Sequence, residues 1–377
     1  MRLLFVSHTA GLAGAERAMA ETMQGLAAAG HTICLIVPQP GPLQAFVQGY
    51  APQQAVIAQD HWAASGQLTW WQKVKFLRGY WRSGRAIARQ AKAWQADVVL
   101  TNTAVVPAGA IGAWLARIPH VWYLHEFVRE DHGLHWQYGE RTSYRFIYRS
   151  SAALIVNSQA MAAKLAGLVP ADKTQLIYYA CGIGWPARAD VFTNQPLKLL
   201  LVGAIAAGKN QRLALEALVI LKSQGLMVPL VLVGNPTPAY AANLQAYAAA
   251  NGIADQLTML PFTNDAASAY AAGEILLLTS RAEAFGRVVV EGQKTGLPVI
   301  VAAAGAGPEL VTDGQTGFLF ASGNAASLAG TIAIALADVP RLQAIATQGM
   351  HSANQRFNMA THIAATQAML ATLAGKR

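Results

Sequence analysis

The sequence predicts an α/β protein built from two doubly wound domains. Short apolar runs that suit buried parallel strands alternate with longer helical patterns along the 377-residue chain. A chain of this length exceeds one ordinary core, since single cores stop growing at about 250–300 residues. The alternation breaks only over residues 181–196, where Gly, Pro and Asn occur without periodicity. We therefore expect one domain at 1–180, a linker at 181–196, a second domain at 197–355 and a C-terminal helix at 356–377 that packs on the first domain.

The composition predicts a cytoplasmic protein. The hydrophobic content is 54%, yet no run of 18 apolar residues occurs, which predicts no membrane span. The opening residues MRLLFVSHTAG are expected to form a first strand rather than a signal peptide. Cys34 and Cys181 lie far apart without metal-ligand spacing, so two reduced thiols are favoured over a disulfide or a zinc site.

The positive charge is concentrated in the first half of the chain. The formal net charge is +9; residues 1–180 hold 16 Lys and Arg against 9 Asp and Glu, and residues 181–377 hold 12 against 10. The first half therefore carries +7 of the total. We expect this half to meet an anionic partner.

The chain begins with a predicted βαβ unit, which requires a parallel sheet. A strand at Leu3–Val6 is followed by a Gly-rich loop, a helix at about 15–28 and a strand at Ile33–Val37. Gly11 and Gly14 lie in the loop at the carboxyl edge of the first strand, where such sheets bind ligands. The loop lacks the G-x-G-x-x-G dinucleotide pattern, so NAD binding is disfavoured. An ordinary helix-entry loop is the alternative interpretation.

A basic and aromatic helix is predicted at about 70–94. Residues 61–96 contain no Asp or Glu, and helical spacing places one row of cations along one stripe: Lys75, Arg78, Arg82, Arg85, Arg89 and Lys92. One interpretation is a surface helix that covers the sheet and has a solvated basic face. Another is a membrane-surface helix that lays tryptophans at the headgroup level and cations on anionic lipid. Nucleic acid is a third interpretation, disfavoured because no known binding module accompanies the helix.

The next apolar run, His120–Leu124, predicts a strand that ends in His125 and Glu126, at the ligand-binding edge. His125 is a candidate site residue, and a structural histidine held by Glu126 is the alternative. The segment 127–148 is expected to contain a mobile loop and a helix, where acceptor contacts would fit. Ser158 is expected to cap the helix that follows the next strand.

The second domain opens with a strand at Lys198–Val202 and the loop GAIAAGKN, residues 203–210. This loop is one residue short of a phosphate-binding Walker A loop and has Asn210 where Ser or Thr would bind magnesium. No nearby apolar strand ends in the Asp that would complete the metal site. A P-loop nucleoside triphosphatase is therefore the second enzyme class that the pattern allows.

The most informative stretch is residues 275–309. Ile275–Leu278 suits a buried strand, and a polar loop with Arg281 and Glu283 follows it. A helix then begins near Gly286, and its first turn suits a phosphate or diphosphate. Glu283 and Glu291 flank this anion site, where carboxylates accept hydrogen bonds from the hydroxyls of a nucleotide sugar. The alternative is that both are ordinary surface carboxylates.

Together, these residues resemble a known family. Glu283 and Glu291 with seven residues between them, Phe285-Gly286 inside the interval and the loop GAGPE at 305–309 resemble the donor-site signature of the retaining GT-B glycosyltransferases of family four. The loops GLAGAER, residues 11–17, and 203–210 are also similar to loops of that family. One residue departs from the pattern, because Ala204 stands where the family has an arginine. We expect Arg287 or Arg281 to supply the missing charge.

The resemblance implies a site and an activity. It makes Glu283, His125 and Lys209 the expected catalytic residues, with Lys209 on the leaving diphosphate and the other two on the donor sugar. It implies that Glu291 binds the ribose hydroxyls and that Gly14 approaches the phosphates. The expected donor-binding residues are Gly14, Gly203, Arg281, Phe285, Gly286, Arg287, Val288 and Glu291.

The implied function is retaining, metal-independent transfer of a hexose, without a cofactor, from a UDP- or GDP-sugar. The acceptor is expected to be a glycan or a lipid-linked glycan of cell-surface polysaccharide synthesis, at the cytoplasmic face of the membrane. Two other classes stay open: a nucleotide-sugar epimerase of the same architecture, and a non-catalytic bilobed sugar-binding protein. No nucleic acid partner and no metal site are expected.

Overall fold

The computed structural model describes residues 1–131, 133–182, 187–188, 190–193 and 196–374. The chain divides into two compact units, one made of Met1–Ala180 with Met359–Arg377 and the other of Cys181–Asn358. The predicted linker 181–196 therefore belongs to the second unit, and its residues 183–186, 189, 194 and 195 lie outside the described residues.

The first unit is built on a parallel seven-stranded sheet. Numbered along the chain, the strands of this unit are β1 (Arg2–Val6), β2 (Thr32–Val37), β3 (Gln53–Val56), β4 (Ala63–Ala64), β5 (Val98–Thr101), β6 (His120–Leu124), β7 (His135–Trp136), β8 (Ala153–Val156) and β9 (Thr174–Leu176). Their order in the sheet is β3-β2-β1-β5-β6-β8-β9, while β4 and β7 form a separate antiparallel pair. The helices are α1 (Gly14–Ala28), α2 (Pro42–Val47), α3 (Trp70–Ala93), α4 (Ala108–Ala116), α5 (Glu140–Arg149) and α6 (Gln159–Ala166).

Strand β1 lies where the strand order of this sheet reverses. Its neighbours are β2 on one side and β5 on the other, with Leu3 opposite Ile33 and Val98. All of these side chains are buried, because a parallel strand with helices on both faces of the sheet has no solvent side. The loops that leave β1 and β5 diverge at this reversal, which is where open α/β sheets bind ligands.

The second unit repeats this plan with six parallel strands. They are β10 (Leu199–Val202), β11 (Leu230–Val233), β12 (Leu257–Leu260), β13 (Ile275–Leu278), β14 (Val299–Ala302) and β15 (Phe318–Phe320). The helices are α7 (Gln211–Ser223), α8 (Pro238–Ala250), α9 (Ala266–Ala271), α10 (Arg287–Lys294), α11 (Gly307–Leu310), α12 (Ala325–Ala337) and α13 (Val339–Arg356). The sheet order β12-β11-β10-β13-β14-β15 reverses between β10 and β13, where Leu199 lies opposite Ile275. Leucines of β10, β11 and α7 form much of the core of this unit.

The last helix returns to the first unit. The predicted helix 356–377 begins later than expected, because α13 continues through Arg356 and α14 spans Met359–Ala374; residues 375–377 lie outside the described residues. His362 joins α14 to α1 through Thr22 Oγ1, at 2.8 Å from its Nε2. Gly25 of α1 allows close packing, since a Cβ there would lie 2.4 Å from Ile363 Cγ1.

Within the described ranges, no single helix is long and apolar enough to cross a membrane. One pair of helical segments, Ala325–Ala337 and Val339–Leu373, has the length and composition of a membrane span only when taken together, and the pair is bent by 104°. Leu328 and Leu342 of this pair belong to the buried core of the second unit.

Candidate functional site

The loop after β10 is tied to the loop after β13. It contains a 3₁₀ turn at Ala207–Lys209, and Asn210 follows with a left-handed backbone (φ 53°), which asparagine tolerates better than most residues. Asn210 Nδ2 donates to the Thr279 carbonyl at 3.4 Å, and Thr279 Oγ1 donates to the Lys209 carbonyl at 2.8 Å. Asn210 thus has a structural role in joining the two loops.

Lys209 and Glu283 form an ion pair where β10 and β13 end. Lys209 Nζ lies 2.9 Å from Glu283 Oε2 and 3.2 Å from Oε1. The side chains are 37% and 19% exposed, so solvent screens the pair and its contribution to stability is small. The pair therefore presents a cation and a carboxylate at a solvent-accessible edge, where a ligand can contact both.

The glycine loop at 305–307 fixes the backbone of Glu283. Ala306 N donates to the Glu283 carbonyl at 2.9 Å. Gly305 has a left-handed backbone (φ 55°), and a Cβ at this position would lie 2.4 Å from the same carbonyl oxygen. Glycine is therefore required at 305 both for conformation and for space.

The N-terminus of α10 follows directly after Glu283. Gly286 caps the helix with φ 91°, a conformation that glycine adopts without strain. The first turn, which includes partly buried Val288, lies at the positive end of the helix dipole, and the Val289 N–H donates to the Gly286 carbonyl at 3.0 Å. Phe285 is buried and packs edge-on against Phe357, with 5.7 Å between ring centroids. The preceding loop is thereby anchored, and the helix end suits an anion.

Glu291 is held in a buried triad one turn into α10. Arg287 Nη2 lies 2.9 Å from Glu291 Oε1, and Tyr270 Oη donates to Oε2 at 2.6 Å. Burial raises the pKa of Tyr270 well above its ordinary value of 10, and the Glu291 charge raises it further, so the phenol remains a donor. Arg287 is thus engaged by Glu291, whereas Arg281 is exposed and makes no hydrogen bond or ion pair with any described residue.

The remaining predicted residues of the second unit lie beside Lys209. A Cβ on Gly203, which has φ 136°, would lie 4.0 Å from Lys209 Cε. Ala204, at the position of the family arginine, is exposed. The loop therefore brings Gly203, Lys209 and the Glu283 carboxylate together, and it leaves open space at residue 204.

In the first unit, His125 lies at the carboxyl end of β6 within a chain of hydrogen bonds. Asn102 Nδ2 donates to the Ala15 carbonyl at 3.1 Å, which directs its Oδ1 towards His125 Nε2 at 2.6 Å. His125 Nδ1 contacts the Tyr179 hydroxyl, which also accepts from Asn157 Nδ2 at 3.3 Å. These bonds assign the proton of a neutral His125 to Nε2. Its orientation is therefore fixed from both sides.

Two buried carboxyls flank the first-unit loops. Gly14 is the first residue of α1, and Glu16 in its first turn is 1% exposed, with Oε1 3.6 Å from His8 Nδ1. Burial, aided by the charge of Glu126 and opposed by backbone hydrogen bonds, raises the pKa of Glu16 to about 7. Glu126 accepts from Thr103 Oγ1 at 2.6 Å and from the Ala104 N–H at 2.7 Å.

Sequence reasoning missed several of these residues. Asn102 follows β5 directly, so the rule that selected His125 at the end of β6 would also have found it. Tyr270 belongs to the short helix α9, which has no periodic signal, and its contact with Glu291 is tertiary. Among the residues with defined positions, no group of three or more His, Cys, Asp or Glu side chains is arranged to hold a metal ion.

Comparison with known proteins identifies two family matches. Residues 12–180 match the family described as "Glycosyltransferase Family 4", and residues 187–351 match the one described as "Glycosyl transferases group 1". The two matches fall on the two halves of the chain.

Curated relatives align over part of their length. The D-inositol 3-phosphate glycosyltransferase of Streptomyces scabiei is 32% identical over 206 residues, covering 52% of this chain and 44% of that protein. The enzyme of the same name from Mycolicibacterium vanbaalenii is 30% identical over 211 residues, covering 50% and 46%. The chain thus spans about half the length of the curated relatives it matches.

Solved structures resemble the chain over its whole length. The Anabaena HepE structure in complex with UDP and glucose has a TM-score of 0.82 at 23% identity, covering 99% of this chain and 100% of that one. Sucrose-phosphate synthase from Thermosynechococcus elongatus has a TM-score of 0.79 at 19% identity and covers 100% of both chains. At these identities the likeness concerns the fold. The predicted α/β class with two Rossmann-like domains is confirmed.

Proposed function

Because the chain belongs to the group 1 glycosyltransferases and has the GT-B fold, we propose that it is a retaining, metal-independent hexosyltransferase. Its donor is a UDP- or GDP-sugar, and its acceptor is a glycan or lipid-linked glycan of cell-surface polysaccharide synthesis. The observation that carries this proposal is the Lys209–Glu283 pair at the carboxyl edge of the second sheet, directly before the N-terminus of α10. Such an edge offers a cation and N–H groups to a diphosphate and a carboxylate to sugar hydroxyls.

We infer that the donor binds to the second unit, and these chemical complementarities support this inference. Lys209 and the N–H groups of 286–288 bind the diphosphate, and Glu283 accepts hydrogen bonds from the sugar hydroxyls. Glu291 binds the ribose hydroxyls; each of its oxygens accepts one bond within the triad, which leaves lone pairs for a ligand. The HepE structure in complex with UDP-glucose, a protein of the same fold, supports the choice of donor class.

The proposed reaction needs no protein base. The bond between the anomeric carbon and the phosphate oxygen breaks, the acceptor hydroxyl bonds to the same face of that carbon, and the hydroxyl proton passes to the leaving phosphate. Lys209 and the helix N–H groups stabilise the charge that develops on the diphosphate. His125 contacts the donor sugar and Gly14 the phosphates, as the resemblance implies. Arg281, which is exposed, supplies the charge that the family arginine would supply at Ala204.

We place the acceptor at the cytoplasmic face of a membrane, with helix α3 on the lipid. Trp70 and Trp71 are 66% and 76% exposed. The exposed cations Lys75, Arg78 and Arg82 line a cleft of about 510 Å³ in the same helix region. Exposed indoles beside cations match the interface of an anionic leaflet.

Vesicle co-sedimentation tests this membrane contact. Binding to anionic vesicles at low salt should fall in Trp70→Ser/Trp71→Ser and persist in Phe46→Ser, since Phe46 is an exposed aromatic residue (50%) outside α3. Absence of binding by the unaltered protein would contradict the contact.

Release of UDP or GDP from nucleotide sugars tests the activity. The unaltered protein should release nucleoside diphosphate from one donor, slowly with water as acceptor, and Lys209→Met should lower the rate at least tenfold. Lys198→Met is the matched control, because Lys198 is an exposed lysine directly before β10, the strand that leads into the Lys209 loop. Interconversion of donor sugars without release would favour an epimerase, and binding without turnover would favour a sugar-binding protein.

A further inference from the structure

One residue of the segment between β9 and β10 is anchored firmly to the second unit. Arg188 lies in the predicted linker 181–196, yet its side chain is only 12% exposed. Its guanidinium Nη1 donates to the carbonyls of Tyr270 and Gly273, each at 2.7 Å. Its backbone N–H donates to the Thr295 carbonyl at 2.9 Å. Arg188 therefore makes two separate attachments, one through its side chain and one through its backbone.

These attachments hold the two helices that carry the buried triad. The Tyr270 and Gly273 carbonyls lie at or just after the carboxyl end of α9, and Thr295 directly follows α10. Tyr270 of α9 donates to Glu291 of α10 at 2.6 Å. Arg188 thus bridges the ends of the same two helices that this hydrogen bond joins.

Helix α9 depends on tertiary contacts for its position. It has six residues, too few for a helix to be stable by itself in water. The last carbonyls of a helix lack partners inside the helix and lie at the negative end of its dipole, so a guanidinium at this end satisfies and stabilises them. Tyr270 is 2% exposed and packed, so its ring moves with the helix. Loss of the guanidinium should therefore let the Tyr270 hydroxyl shift relative to Glu291.

The bond from Tyr270 helps to determine where the Glu291 carboxylate points. Tyr270 Oη donates to Oε2 at 2.6 Å, and Arg287 Nη2 lies 2.9 Å from Oε1. With one bond on each oxygen, the remaining lone pairs have defined directions. A hydrogen bond weakens steeply as its angle departs from the preferred range. Recognition of ribose hydroxyls by Glu291 therefore requires Tyr270 to stay in place.

We propose that Arg188 is a positioning residue for ribose recognition, which sets the orientation of Glu291 through α9 and Tyr270. The inference rests on the proposed function, since it takes Glu291 as the residue that binds the ribose hydroxyls. Arg188 does not contact the nucleotide; it acts through the end of α9. The segment between β9 and β10 thereby contributes to the selection of a ribonucleotide donor.

Calorimetric Kd values for a nucleoside diphosphate and its 2′,3′-dideoxy form test this role. The probes are UDP with 2′,3′-dideoxy-UDP and GDP with 2′,3′-dideoxy-GDP, since only the ribose hydroxyls differ within each pair. The unaltered protein should bind one ribonucleotide about tenfold or more tightly than its dideoxy form, as expected for a hydrogen bond to a carboxylate. Arg188→Gln should lower this preference to about threefold or less, because the bond is weakened. A loss of folded protein alone would affect both probes of a pair equally and leave their ratio unchanged.

Three further variants complete the test. Asp190→Asn is the matched control: its carboxylate lies 3.1 Å from Arg188 Nε but is 62% exposed, so this variant should keep the preference of the unaltered protein. Arg188→Lys keeps the charge on a shorter side chain and should show an intermediate preference, even if Arg188→Gln does not fold. Adding Arg188→Lys to Tyr270→Phe should lower the preference no further than Tyr270→Phe alone, because both act on one contact.

The outcomes separate this inference from the proposed function. If a folded Arg188 variant keeps the full preference, or if the effects of Arg188→Lys and Tyr270→Phe add, the role of Arg188 is only structural and the inference is refuted. Equal binding of both members of a pair by the unaltered protein would refute the ribose contact of Glu291, and the inference with it, while the donor site would stand. If neither UDP nor GDP binds, the proposed donor site and the inference fail together.

Discussion

Replacing Glu16 by glutamine should stabilise the protein above pH 7 and have no such effect below pH 4.5. The carboxyl is buried in the first turn of α1, and burial raises its pKa from 4.5 to about 7. A raised pKa means that the folded state binds the proton more tightly than the unfolded state. The stabilisation from this proton is complete below pH 4.5 and is lost as the pH rises through 7.

The magnitude follows from the shift. The difference between 7 and 4.5 is 2.5 units, and at ~1.36 kcal/mol per unit the cost of ionising Glu16 in the folded state is about 3 kcal/mol. Glutamine has no charge to bury, so the variant should avoid this cost at pH 8. In a unit of this size, 3 kcal/mol corresponds to a Tm rise of about 6–12 °C.

Thermal unfolding of both proteins at pH 4.5 and pH 8 tests the reasoning. The variant should gain stability relative to the unaltered protein only at the higher pH. Asp172→Asn is the control, because it neutralises an exposed carboxylate of the same unit. A stability difference between Glu16→Gln and the unaltered protein that is the same at both pH values would refute the buried, protonated carboxyl.

Three further predictions concern the second unit. Tyr270→Phe removes the donor to Glu291 and should lower the free energy of unfolding in urea by about 1.5–3 kcal/mol. The control is Tyr247→Phe, because the Tyr247 hydroxyl makes no hydrogen bond with the described residues. This control should lower the free energy of unfolding by less than about 0.5 kcal/mol. Gly305→Ala should destabilise the protein by about 1–3 kcal/mol more than Gly323→Ala. Both glycines have positive φ, but only a Cβ at residue 305 would clash with the Glu283 carbonyl. Equal losses of stability in the two variants would contradict this clash. Glu283→Gln should lower donor turnover at least tenfold yet change stability by less than about 1 kcal/mol, and a large stability loss would mean that the pair is structural.

Most strands could be predicted from the sequence, because parallel strands are apolar on both faces. The runs His120–Leu124 and Ile275–Leu278 were predicted with the bounds that the structure has. The edge strand β3 and the pair β4–β7 were missed, since β3 is only partly buried and the others have two residues each.

The individual residues of the site could be predicted from the sequence, but the contacts between them could not. Lys209, Glu283 and His125 each follow a strand, so the carboxyl-edge rule finds them from the sequence. That Lys209 pairs with Glu283, 74 residues away, depends on the order of the strands in the sheet. The engagement of Arg287 by Glu291 follows helical i,i+4 spacing, a signal that was not used in the expectation that Arg287 or Arg281 supplies the missing charge.

The most direct test of the central claim is a thermal-shift measurement with UDP, GDP, ADP and ATP–magnesium, on the unaltered protein and on Lys209→Met. A ligand at a hundred times its Kd adds ~2.7 kcal/mol, which raises the Tm of domains of this size by roughly 5–11 °C. Our account predicts such a shift with UDP or GDP and its loss in Lys209→Met, with Lys198→Met unchanged. Stabilisation by ATP–magnesium alone, or by none of the four nucleotides, would contradict a nucleotide-sugar site at the Lys209–Glu283 pair.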